Sequence, residues 1–253
     1  MSFEHPFPRT AIVTGGARRI GAEMVRALAA DGWDVLIHCN SSRAEADALA
    51  QETGRARVVS VDLAGADPCA AFAPVLDGMP PLGLLVNNAS LFEHDDFDDF
   101  TIDGWTRHFD ANLRGPALLT RMFAERVGDG GGLIVNMLDA KLVQPNPDFF
   151  TYTLSKMGLA GLTELSARKL AARRIRVCGI APSVTLVSGP QSRENFDAVH
   201  AMNALQRGVT VEDIVAALRY VIASPTLTGQ TLVLDGGQRF LGLPRDVQFM
   251  ESL

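Results

Sequence analysis

The feature that most constrains this chain is a repeated alternation between short apolar runs and longer amphipathic stretches. Seven runs recur, Ala11 to Val13, Val35 to Ile37, Arg57 to Val61, Leu82 to Val86, Leu133 to Asn136, Ile175 to Ile180 and Thr231 to Leu234. Their apolar residues are near-continuous rather than alternating with polar ones, the pattern of strands buried on both faces. Between them lie stretches of helical period, roughly Ile20 to Ala30, Arg43 to Thr53, Ile102 to Val127, Thr151 to Ala172 and Val211 to Ala223. Parallel strands need such crossovers, so the pattern predicts an α/β fold of Rossmann type: a doubly wound, seven-stranded parallel sheet with helices on both faces.

With 253 residues, 47% of them hydrophobic, the chain can bury one large core, and residues 1–253 are expected to form a single domain. Two boundaries carry local chemistry. Gly54 stands where the second helix needs a left-handed cap, and Thr210 with Asp213 three residues on suits the start of the last helix. The least regular region is 182–203, rich in Ser, Gly and polar residues, and is expected to be a substrate lid.

The net charge of −6 has no basic block, which argues against nucleic acid as a partner. No apolar run approaches the ~18 residues that span a bilayer, and Met1 to Arg9 lacks a cationic segment followed by an apolar one, so neither membrane insertion nor secretion is expected. Cys39, Cys69 and Cys178 are far apart and odd in number, and the five histidines lack ligand spacing. No metal site is expected, and a reducing cytoplasm fits best.

Directly after the first strand the sequence reads Thr14-Gly15-Gly16-Ala17-Arg18-Arg19-Ile20-Gly21 and enters a helix. A dinucleotide pyrophosphate needs close backbone approach at a helix N-terminus, where free N–H groups meet negative charge. The end of the second strand selects the dinucleotide: NAD sites place a carboxylate there, and here the segment is His38-Cys39-Asn40-Ser41-Ser42-Arg43, with none. Hydroxyls of Ser41 and Ser42, with guanidinium groups of Arg18, Arg19 or Arg43, suit a 2′-phosphate, which favours NADPH. Asn40 to Ser42 also read as a turn and N-cap, and both readings can hold together. Asp62 suits the adenine amino group or a solvent-facing turn with equal weight. Asn87-Asn88-Ala89 follows the fourth strand, at another strand end where such sheets place ligands.

Tyr152 and Lys156, four apart on one helix face, form a candidate proton-transfer pair, since a neighbouring ammonium favours the phenolate. By itself the pair is common. Together with the Thr14 to Gly21 turn, Asn87-Asn88-Ala89, Asn112 and Asp235-Gly236-Gly237, in this order, it resembles the short-chain dehydrogenase/reductase family over nearly the whole chain. That resemblance implies that Tyr152 exchanges the proton, that Lys156 holds the nicotinamide ribose and depresses the tyrosine, and that Asn112 supports a water-linked proton path. It also implies cofactor contacts from Gly15, Ile20, Leu63, Asn88, Ala89, Met137, Pro182 and Ser183, and a homotetramer built on the long helices. The tail Arg239 to Leu253 is expected to reach a neighbouring subunit.

Two positions depart from the general family pattern. A turn glycine is replaced by Arg19, and the catalytic serine, thirteen residues before the tyrosine, is Asp139. A hydroxyl there donates to an oxygen that becomes negative as hydride arrives, and an ionised carboxylate would oppose that charge. A carboxyl group suits a substrate with N–H donors or a ring nitrogen that takes a proton. The same departures, with Asn87-Asn88-Ala89-Ser90-Leu91-Phe92 and Asn136-Met137-Leu138-Asp139-Ala140, resemble the pteridine reductase branch, as does His38 followed by Ser42.

On that resemblance Phe92 stacks a flat pterin, Arg19 reaches both cofactor phosphate and pterin, Ser90 binds both, and Asp139 works with Tyr152 in protonation. Phe149 and Phe150 are expected to help shape the substrate wall. The plainer alternatives are core packing for Phe92 and, for Asp139, a capped turn or a salt bridge to Lys141. The leading function is an NADPH-dependent reductase of pterins or dihydropterins. The alternatives are a reductase of another small carbonyl or imine compound, and a catalytically idle NADPH-binding sensor.

Overall fold

A computed structural model describes residues 7–188 and 191–250. Seven strands form one sheet in the order β3-β2-β1-β4-β5-β6-β7. They are β1 (Thr10–Val13), β2 (Asp34–Cys39), β3 (Ala56–Ser60), β4 (Leu84–Asn87), β5 (Gly132–Met137), β6 (Ile175–Pro182) and β7 (Thr231–Leu234). Every neighbouring pair is parallel.

Successive strand residues point to opposite faces, and both faces are covered. Val13, Ile37, Val86, Val135 and Ile180 pack under α1 (Arg19–Ala30) and α8 (Val211–Ala223), through Met24, Leu28, Ile214 and Leu218. Their neighbours Ile12, Leu36, Leu85, Ile134 and Val177 pack on the other side against α5 (Gly115–Arg126) and α6 (Phe150–Leu170), through Leu119, Phe123 and Ala167. This two-sided burial is why the runs read as continuous apolar sequence. Phe72, at the head of the short α3 (Ala73–Leu76), fills the same layer.

The expected caps are present. Gly54 closes α2 (Arg43–Thr53) at φ 65°, a left-handed conformation that costs glycine nothing. Thr210 and Asp213 form a reciprocal capping box on α8.

Two expectations need correction. The stretch 102–127 is not one helix: α4 (Ile102–Phe109) passes through a π turn (Asp110–Arg114) into α5. Pro116 has no N–H to give the carbonyl four residues back, which is that of Asn112, so the ladder widens there. Part of the 182–203 region is also helical, against the irregularity its composition suggests. It contains α7 (Arg193–Val199), started by Ser192 Oγ accepting from Asn195 N at 3.1 Å. Gly189 and Pro190 lie outside the described residues.

Among the described residues no helix is long and apolar enough to cross a membrane, and no group of three His, Cys, Asp or Glu side chains could hold a metal ion.

Candidate active site

A cleft of about 540 Å³ lies at the carboxyl ends of the strands, beside the β1/β4 switch of strand order. Its first wall is the β1–α1 turn. Gly15 has φ +60°. A Cβ on Gly21 would stand 2.2 Å from the Gly15 carbonyl and 2.7 Å from Asn88 Nδ2, so no larger residue fits. The turn is pinned from both sides. Thr14 Oγ1 accepts from the backbone N–H groups of Asn88 and Ala89, both at 2.9 Å. Asn88 Nδ2 donates to the carbonyls of Thr14, 2.8 Å, and Gly15, 3.2 Å.

His38 serves this turn. Its Nε2 donates to the Val61 carbonyl at 2.9 Å, which leaves Nδ1 to accept from Gly15 N at 3.1 Å. It is buried and stacked on Phe72, and burial holds its pKa below the usual histidine range, so the ring is neutral. It lines the cleft, but both nitrogens are spent on shaping the loop.

Asn40 and Ser41 are exposed at the rim, and Ser42 occupies the N-cap position of α2 without using its hydroxyl as a cap. That hydroxyl stays available beside a helix N-terminus. Arg18 lies at this end, 3.6 Å from Glu45. Arg43 instead turns along its own helix to Asp47, at 2.8 Å, and does not line the cleft. Ile20, Ala89 and Met137 line the floor, and Pro182 and Ser183 the β6 exit.

Arg19 takes up φ 56°, a left-handed conformation that is strained in a residue with a side chain. Its Nη2 donates to the Val187 carbonyl at 2.8 Å and to Ser188 Oγ at 3.4 Å, so it spans from the cofactor turn to the 182–203 region.

The chemical centre joins the β5 exit to α6. Tyr152 Oη donates to Asp139 Oδ2 at 2.8 Å. Asp139 Oδ1 accepts from Lys141 N at 2.8 Å, so the carboxylate caps its own turn and holds the tyrosine at once. Lys156 Nζ donates to the Met137 carbonyl at 2.8 Å and stands 5.7 Å from the centre of the Tyr152 ring. Burial, then the charge of Asp139, push the Tyr152 hydroxyl well above its ordinary pKa, while burial lowers the Lys156 ammonium to about 8. The expectation that Lys156 depresses the tyrosine is therefore reversed here. The carboxylate is the group in hydrogen-bond contact, and it favours the neutral phenol.

Phe92 lines the cleft, stacked on Phe149 at 4.2 Å and meeting Tyr152 edge-on at 4.7 Å. Phe149 itself is 2% exposed and off the cleft surface, because its φ of 54° tucks the ring beneath Phe92. Phe150 turns away to Phe97 and Phe100.

Three further residues stand off the cleft. Asp62 accepts from Ala64 N in a local turn, at 2.9 Å, and Leu63 is buried against Gly115. Asn112 is fully buried in the π turn. Its Oδ1 accepts from Leu91 N at 2.7 Å and Ser90 Oγ at 3.2 Å, and its Nδ2 donates to the Leu91 carbonyl and Ser155 Oγ. Ser90, which lines the cleft, is thus tied to Asn112.

The cleft contains residues that local sequence reading missed. Lys141 reaches the Asp148 carbonyl and lies 3.4 Å from Asp246, while Leu243, Arg245, Asp246 and Gln248 come from the end of the chain. The described part of the tail thus lines its own chain's cleft. The signal in the sequence was an adjacent pair of opposite charges, Arg245-Asp246, between apolar residues of the tail.

The short chain dehydrogenase family model matches residues 9–197. A solved structure of FolM alternative dihydrofolate reductase 1 from Brucella canis, complexed with NADP, is 38% identical with a TM-score of 0.89, covering 94% of this chain and 97% of that one. A blue fluorescent protein from a metagenomic library, in complex with NADPH, is 30% identical with a TM-score of 0.84, covering 93% and 99%. The 3-oxoacyl-[acyl-carrier-protein] reductase of Synechocystis is 29% identical over 238 residues, 90% of this chain and 96% of that protein. Two of these names, a dihydrofolate reductase and a 3-oxoacyl-[acyl-carrier-protein] reductase, point to different substrates.

Proposed function

The chain belongs to the short-chain dehydrogenase family, and from that premise we propose that it is an NADPH-dependent oxidoreductase that reduces a C=N bond in a pterin or dihydropterin. The observation that carries this reading is the 2.8 Å bond from Tyr152 Oη to Asp139.

The residues present fit the cofactor. Gly15 and Gly21 leave a bare backbone at the α1 N-terminus, Arg18 and the free Ser42 hydroxyl suit a 2′-phosphate, and the β2 exit offers no carboxylate to repel one. Relatives bound to NADP and NADPH support the same choice. When bound, NADPH supplies the hydride.

Lys156 orients the nicotinamide ribose, and Tyr152 holds the proton on its phenol oxygen. A carbonyl oxygen gaining negative charge would face the Asp139 carboxylate at a cost, whereas a ring nitrogen that takes up a proton gains from it. Phe92 offers its face away from Phe149 to a flat ring. Arg19 and Ser90 both line the cleft and suit the junction of cofactor and substrate, with Arg19 tied to Val187 and Ser188. We also propose assembly into a homotetramer through α4, α5 and α6, where Ile102, Met157 and Leu165 remain exposed.

The test is NADPH oxidation measured with biopterin, dihydrobiopterin, dihydrofolate and dihydromonapterin beside a panel of simple ketones. Turnover confined to the heterocycles is expected. Turnover on ketones alone would overturn the substrate assignment, and Tyr152→Phe with unchanged rates on everything would overturn the enzyme assignment.

A further inference from the structure

The substrate half of the cleft has two walls. One carries Asp139 and Tyr152. The other is residues 243–248, which return from the far end of the chain. This strap is fastened at three points. Asp148, 3% exposed, accepts from Arg245 Nε at 2.9 Å and from Asp246 N at 2.7 Å. Phe249 stacks on Phe149 at 5.8 Å. Lys141 Nζ stands 3.4 Å from Asp246 Oδ2.

Asp246 also has a local task, its Oδ1 accepting from Gln248 N at 3.1 Å to cap the turn that carries Phe249, which leaves Oδ2 facing Lys141. Asp246 lines the cleft with its side chain only 15% exposed. Burial and the like charge of Asp139 hold it above the usual carboxyl range, with Lys141 pulling the other way, and Asp246 in turn adds to the upward push on Tyr152. Asp139, Tyr152 and Asp246 thus act on one another across the same space.

Asp246 has the ammonium of Lys141 against it, Arg245 being committed to Asp148, while Asp139 has the charge of Lys156 near it. Asn146, on the same lining, has a buried Oδ1 with no partner among the described residues. A lining of carboxylate oxygens with an unpartnered amide oxygen is satisfied by an occupant that brings N–H donors. The amino-bearing edge of a ring amidine does so; a plain ketone offers only another acceptor.

We propose that Asp246 is a specificity-determining residue that accepts an N–H bond from the amino-bearing edge of the heterocycle, while Asp139 and Tyr152 attend to the bond being reduced. The inference rests on the heterocycle reading above. Its rival is a purely mechanical role, with Asp246 as a latch for the strap.

The test is equilibrium binding, by calorimetry, of 2-amino-4-oxopteridine and its 2,4-dioxo counterpart to full-length protein saturated with NADP⁺, where no turnover occurs. The wild type is expected to prefer the amino compound by about tenfold, the worth of one charge-assisted hydrogen bond. Asp246→Asn and Asp246→Ala should bring the preference close to unity, the alanine further, with NADP⁺ affinity unchanged. Phe249→Ala, which loosens the strap and keeps the carboxylate, should weaken both compounds alike and preserve the preference. If the Asp246 variants weaken both ligands equally, the residue is only a latch and the proposal falls. If the wild type binds both without preference, the proposal also falls. If it binds neither, the heterocycle reading itself fails and takes this inference with it.

Discussion

Tyr152 and Lys156 are perturbed in ways that separate their tasks. Burial and Asp139 keep the phenol protonated, which in the proposed reaction would make it the acid. Tyr152→Phe should lower the rate of heterocycle reduction by about 10²–10⁴-fold and leave NADPH affinity, read by fluorescence titration, nearly unchanged. Loss of affinity as well would make the hydroxyl structural. For Lys156 the sign follows from burial, which brings the ammonium down to about 8 from the ordinary value near 10.4. The charged form is full below that pH and disappears as pH rises through it. NADPH affinity should therefore be level in the neutral range and decline above about pH 8, and Lys156→Gln should flatten the profile. Asp139→Ser tests the remaining member, because a hydroxyl there can donate to a carbonyl oxygen. The variant should lose heterocycle turnover and gain on ketones in the same panel. At this scale much was legible: Asp139, Tyr152 and Lys156 meet as the spacing suggests. The direction of the tyrosine shift was not, because it depends on which neighbour stands closer.

The helix that carries Tyr152 has no cap of its own. Phe149 precedes α6 in a left-handed conformation and offers no side-chain bond to its first turn. The cap is supplied from a distance by Asp95, 9% exposed, whose Oδ1 accepts from Thr151 N at 3.0 Å while its Oδ2 takes the Thr151 hydroxyl. His108 Nδ1, 2.8 Å from that hydroxyl, completes a buried chain beside Tyr152. Asp95→Ala should cost about 1–2 kcal/mol of stability, read as a lower urea midpoint, and should lower kcat more than KM because it frees the turn that aims Tyr152. Asp95→Asn keeps the Oδ1 acceptor and should restore most of both. A kcat unchanged in Asp95→Ala would show that α6 is aimed by its packing alone. Elements with both ends encoded locally, such as α2 with Gly54 and α8 with Thr210, were readable to the residue. A cap lent from 56 positions away leaves no trace in the local pattern. The break at the π turn did leave one, in Pro116.

Across the whole molecule the cleft divides by how its parts are encoded. The cofactor half is made where strand, turn and helix follow one another, from β1 to α1 and from β2 to α2, so its residues announce themselves by local order. The substrate half joins the β5 exit and the start of α6 to a tail about a hundred residues later, as Lys141 meeting Asp246 shows. Such a contact exists only once the sheet has brought β5 and β6 side by side. The division makes a prediction about removing the tail. Among the described residues no strand lies beyond Leu234, and the β1–α1 turn depends on His38, Thr14 and Asn88, so a chain ending at Gly242 should keep its sheet and its cofactor cradle. It should bind NADPH within about twofold of the full chain and bind a pterin at least tenfold more weakly, since Phe149 loses a stacking partner and the cleft loses a wall. Because the strap closes its own chain's cleft, specific activity of the full-length protein should stay constant on dilution. Activity that falls with dilution while the fold persists would mean that the tail works across a subunit boundary after all, and truncation that abolishes NADPH binding would mean that the two halves of the cleft are not independent.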